Sequence, residues 1–175
     1  VEMTLADGEG ITWTESHTMG AVRLLEELTG TAEPPGRLRR LLEEYISTLR
    51  LPPVSGFAKP AGCIATGGNI ETIADLLGAE GKSGGPVRIA RGDLKGLIET
   101  LSRLSFRRRI GELGLQPDRA DVILPAALVY DRAAALAGVR EIRVPRVGLK
   151  EGILMDLVEE ATARRSHEER TDRQV

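Results

Sequence analysis

The chain has 175 residues, 41% of them hydrophobic and 29% charged, with a formal net charge of -2. That balance describes a folded globular protein, long enough for one core or one domain of a larger protein, and not a disordered chain. Acids and bases are interspersed, which argues against a long nucleic-acid surface and leaves DNA out of the expected partners.

In chain order, Val1–Ala6 and Ile11–Ser16 alternate in polarity around Asp7-Gly8, the pattern of a β-hairpin. Ser16 or Thr18 caps an expected helix bearing Ala21, Leu24, Leu25 and Leu28, which Pro34-Pro35-Gly36 breaks. Leu38, Leu41, Leu42, Tyr45, Ile46 and Leu49 predict a second amphipathic helix, ended by Pro52-Pro53. The apolar strand Cys63–Thr66 then runs through Gly67-Gly68-Asn69 into a helix carrying Ile70, Ile73, Ala74 and Leu77. Two glycines at such a junction let backbone approach an anion, and the opening amides of the helix point at it; a plain tight turn uses the same residues.

Gly81–Gly85 reads as a loop, Asp93 as the start of a helix with Leu94, Leu97, Ile98, Leu101 and Leu104, and Arg107–Leu113 as a shorter helix. Pro117 begins a long apolar helix through Ala137, which Pro125 is expected to kink or split. Glu141–Pro145 reads as a short strand. Gly148 introduces a last helix with Leu149, Ile153, Leu157 and Ala161 spaced four apart, followed by a polar tail over 164–175. With no evident linker, one domain over 1–163 is the expectation, of mixed α/β class.

The single cysteine, Cys63, has no disulfide partner and no metal-binding set around it, which suits a reducing cytoplasm. No signal-peptide pattern and no membrane-spanning apolar run is seen. Arg107-Arg108-Arg109 is the one dense basic run, read first as a solvated helix face. Arg119 and Asp121 read first as a local helix pair or cap and second as cleft residues, Glu151 as a helix-opening carboxylate, His17 as a turn residue, and Trp13 and Tyr45 as core anchors.

Five marks fall in order: Val1-Glu2-Met3, Ser16-His17-Thr18-Met19-Gly20-Ala21-Val22-Arg23-Leu24, Ala65-Thr66-Gly67-Gly68, Pro117-Asp118-Arg119-Ala120-Asp121-Val122-Ile123, and Gly148-Leu149-Lys150-Glu151-Gly152-Ile153-Leu154. Together they resemble the second domain of the Ppx/GppA phosphatases, the exopolyphosphatase and guanosine pentaphosphate phosphohydrolase family, over nearly all of residues 1–160. The resemblance implies a ribonuclease-H-like domain of the actin-like ATPase superfamily, with a mixed sheet and flanking helices. It implies hydrolysis of a terminal phosphoanhydride in polyphosphate or guanosine pentaphosphate (pppGpp) with Mg²⁺.

By the same resemblance Glu2 is the acid that closes a glycine-rich phosphate loop and works near metal and attacking water. Such a carboxylate can hold Mg²⁺ or orient water. Thr66, Gly67, Gly68 and Asn69 match the second glycine turn of the cleft, a site for phosphate or nucleoside. Lys150 matches a position usually held by arginine, keeping the cation without the planar fork. Asn69 stands where threonine or serine is common, and Pro125-Ala126 replaces a more usual glycine context. The rest of the glycine-rich loop and the first domain would precede Val1. The chain alone is therefore expected to be inactive and to lack an N-terminal strand between the hairpin and the Cys63 strand, leaving it marginally stable or self-associating. A homodimer fits the resemblance. The alternatives are a regulatory module that binds nucleotide or alarmone without hydrolysis, and an inactive remnant.

Overall fold

The structure, a computed structural model, describes residues 1–18, 35–52, 60–81 and 85–172. The expected helix around Ala21–Leu28 lies outside them. The chain divides into two compact units, Val1–Pro145 and Arg146–Val175.

The first unit opens with a hairpin of β1 (Glu2–Asp7) and β2 (Gly10–Ser16), antiparallel, with Asp7 opposite Gly10. Asp7 makes the turn: its Oδ1 accepts the backbone N–H of Glu9 at 2.9 Å and of Gly10 at 3.2 Å. This side-chain mimicry of a backbone turn is what aspartate supplies at such positions. Met3 packs against the main core, whereas Trp13 sits outside it, 6.4 Å from the His17 ring. Trp13 is half-buried on the hairpin and is not part of the core among the described residues, whereas Tyr45 packs on it.

After α1 (Pro35–Ile46) come β3 (Cys63–Ile64), α2 (Gly68–Leu76), β4 (Val87–Ala90), α3 (Arg91–Arg103), α4 (Phe106–Leu113), α5 (Pro117–Ala137) and β5 (Glu141–Val144). Pro35 opens α1, as proline is suited to a first turn. α1 stops at Ile46, well before Pro52. β3, β5 and β4 form one mixed sheet in that order, β3 parallel and β4 antiparallel to β5. β4 lies between the expected Gly81–Gly85 loop and the expected helix, in a stretch to which the sequence pattern assigns no element, and α3 begins at Arg91, ahead of Asp93.

α5 organises the core. It packs against α1, α2, α3 and α4, and Ile123, Ala127 and Ala134 on it are fully buried beside Ile70, Leu94, Leu101 and Ile142. Pro117 is its first residue and Gly138 closes it in the left-handed region at φ 67°. The helix runs unbroken across Pro125, contrary to the expected split. Pro125 is itself fully buried, so packing on all sides holds the segment helical where proline removes a backbone bond.

Arg109 also departs from the solvated face proposed for the basic run. Its guanidinium is largely buried, donating to Leu101 O from Nη2 at 3.0 Å and to Ala120 O from Nη1 at 2.9 Å. Arg108 keeps the expected role, paired with Glu112 at the surface.

The second unit carries α6 (Leu149–Asp172), which continues through most of the tail expected to fray. Leu149, Ile153, Leu154, Met155, Leu157 and Val158 are all exposed on it. Glu151 Oε2 accepts the Gly148 N–H at 2.8 Å, satisfying one of the free amides at the helix start, the capping role expected of it. Among the described residues no helix is long and apolar enough to cross a membrane.

Candidate functional site: a glycine turn under an arginine

β3 delivers the chain to the turn. Cys63 and Ile64 pair with Ile142 and Arg143, and Ala65 N–H extends the ladder to Arg143 O at 2.9 Å. Gly67 then adopts φ 106°, ψ 159°, a conformation that a side chain resists, and becomes the N-cap of α2. No side chain caps this helix start. Thr66, Gly67 and Gly68 are exposed and Asn69 is half-buried, so the backbone here faces outward. Ile70, Ile73 and Ala74 anchor the helix behind it.

Gly68 has a second reason to lack a side chain. A Cβ built there would stand 2.9 Å from Arg119 Nη2 and 3.3 Å from its Cζ. Arg119 reaches across from the first turn of α5, and its Nη1 donates to Asn69 Oδ1 at 2.9 Å. Its Asp118 neighbour is 3.8 Å from Nε, a loose contact at a side chain 40% exposed. The local pair expected first for Arg119 is therefore not what holds it. A tertiary contact fifty residues away holds it, which no local spacing reveals. The arrangement places a guanidinium, always charged and able to bind two phosphate oxygens at once, beside a glycine turn at a helix N-terminus. These are three features that each favour an anion.

Glu2 is exposed on β1, opposite Ser16, and no hydrogen bond or ion pair joins its carboxylate to the turn. Lys150 belongs to the second unit, is 89% exposed, and its Nζ lies 3.3 Å from Glu151 Oε1. The Gly148 N–H bond, aided by Lys150, holds the Glu151 carboxyl below the usual carboxylate range. Behind the turn, burial raises the Cys63 thiol, and burial followed by the charge of Cys63 raises the Tyr130 phenol.

Among the described residues no group of three His, Cys, Asp or Glu side chains converges to hold a metal. Mg²⁺ takes six oxygens, several of them from water and phosphate, so Glu2 offers one ligand and not a site.

The profile of the Ppx/GppA phosphatase family matches residues 1–161. Among solved structures, the chain is similar to an exopolyphosphatase from Cytophaga hutchinsonii, with TM-score 0.76 and 20% identity over 91% of this chain and 54% of that one. It is also similar to an Aquifex aeolicus member of the Ppx/GppA protein family, with TM-score 0.72 and 21% identity over 91% of this chain and 53% of that one. No curated protein matches. The chain spans about half the length of these structures. The shared fold is the ribonuclease-H-like, actin-like ATPase type, with a mixed sheet and flanking helices. By the extent of its match, this chain belongs to the Ppx/GppA phosphatase family.

Proposed function

We propose that the chain forms one wall of a phosphate-binding cleft in a phosphohydrolase that releases terminal phosphate from inorganic polyphosphate or guanosine pentaphosphate by attack of water. The observation that carries this reading is Arg119 lying on the exposed Gly67-Gly68 turn, bonded to Asn69. In this reading the amides of Thr66–Asn69 and the Arg119 guanidinium hold phosphate oxygens, where charge-assisted bonds are strongest. Glu2 orients water. Mg²⁺, when bound, offsets negative charge on the phosphates, with Glu2 as one ligand. The family's other half, the first domain, completes the cleft.

The test joins this chain to such a first domain and measures phosphate release from polyphosphate and from guanosine pentaphosphate. Release that survives Arg119→Ala and Glu2→Ala unchanged would remove both residues from the site. Binding without any release would favour the regulatory module.

A further inference from the structure

The mixed sheet has a second pole. β3 and β5 run the same way and β4 the other, so the segments before β3, after β4 and before β5 meet at the end opposite the glycine turn. Two adjoining depressions open there. One, of about 400 Å³, lies between Pro60–Gly62 and Gly138–Arg143. The other, of about 340 Å³, is lined by Arg91, Gly92, Lys95, Val139 and Arg140. Val139 and Arg140 are common to both.

The charges here are fixed unevenly. Arg91 is neutralised by Asp131, which accepts from Nε at 2.6 Å and from Nη2 at 3.3 Å. Glu141 alone serves two guanidiniums, Arg88 at 2.8 Å and Arg143 at 3.5 Å. The exposed side chains of Lys95 and Arg140 have no ion pair among the described residues. Among the described residues that line the two hollows, Arg91, Lys95, Arg140 and Arg143 are cations and Glu141 is the one acid, so cations outnumber acids even with Asp93 in the first turn of α3. The backbone beneath is held by Arg91 N–H donating to Arg140 O at 2.9 Å, and no side chain caps the start of α3.

A guanidinium fork matches two oxygens of one phosphate, and an ammonium adds a point charge. Two hollows that share one arginine suit linked anionic groups better than a single ion. We propose that this pole is a second anion site, which takes a condensed phosphate of two or more linked groups, with Arg140 and Lys95 as its principal contacts. It goes beyond the reading of the glycine turn and stands or falls separately from it.

The test is an amide-resolved NMR titration of the chain with tripolyphosphate at low salt, beside orthophosphate and beside sodium chloride of matched ionic strength. Saturable shifts of the amides in 91–95 and 138–143 are expected. They should weaken by about tenfold or more in Lys95→Glu/Arg140→Glu, as lost charge-assisted bonds imply. The same shifts should persist in Arg119→Ala. Orthophosphate should bind this pole about tenfold more weakly than tripolyphosphate, because it can engage only one hollow. Shifts that sodium chloride reproduces, that the double variant keeps, or that Arg119→Ala abolishes would overturn the proposal. So would a single-stranded oligonucleotide that occupies the pole while tripolyphosphate does not.

Discussion

Arg119 Nη1 donates to Asn69 Oδ1 at 2.9 Å, and the same guanidinium fills the space that any side chain at position 68 would need. Gly68 begins α2, where alanine is a better helix former than glycine by up to about 1 kcal/mol. Gly68→Ala should therefore leave the melting temperature unchanged or slightly raised while displacing Arg119 and weakening phosphate binding. Calorimetric titration with phosphate, set beside a thermal melt, would separate the two effects. A variant that binds as well as the parent would show that the guanidinium plays no part.

Gly67 behaves differently, because its own backbone is the constraint. Alanine at φ 106° costs on the order of 1–3 kcal/mol of strain. Gly67→Ala should lower stability by about that amount, read by urea titration, with phosphate binding lost in parallel.

Arg109 should be the most sensitive arginine to substitution. Arg109→Ala leaves the buried carbonyls of Leu101 and Ala120 without this donor and opens space between α3, α4 and α5. Leu101 O keeps the Leu104 N–H at 3.3 Å, so the loss is that of the charge-assisted bonds and the packing around them, about 1–3 kcal/mol. Arg108→Ala, which breaks a surface pair with Glu112, should leave stability almost unchanged.

Cys63 and Tyr130 predict an alkaline weakness. Burial raises both above their ordinary values, so folding holds them protonated more firmly than unfolding does. Their contribution is fully present below the ordinary range of each group and is lost as pH rises through the raised values. Urea midpoints should decline from mildly alkaline pH upward, and less steeply in Cys63→Ala/Tyr130→Phe. Cys63 should also alkylate with a pH profile displaced to higher pH than a free thiol.

Much of the fold was legible from local pattern. Asp7-Gly8 marked the hairpin, and apolar spacing located α1, α2 and the body of α3. β4 was not, because its four residues are too few to show alternation clearly before Arg91 starts a helix. Pro125 misled because the penalty for proline in a helix is local, while the packing that overrides it is tertiary. The glycine turn was visible as a motif and Arg119 as the second choice for a cleft residue, but the partners of Arg119 and Arg109 were not, since each acts on backbone or side chains of other elements. Charge in a sequence reads as surface unless its distant partner is known.

Ala120, whose carbonyl receives the Arg109 bond, is the next residue after Arg119. One buried guanidinium thus clamps the base from which another is extended over the glycine turn. Loosening the clamp would let the outer arm drift by fractions of an ångström, enough to spoil its aim at an oxyanion. The half-buried arginine is the one that keeps the more exposed arginine pointed.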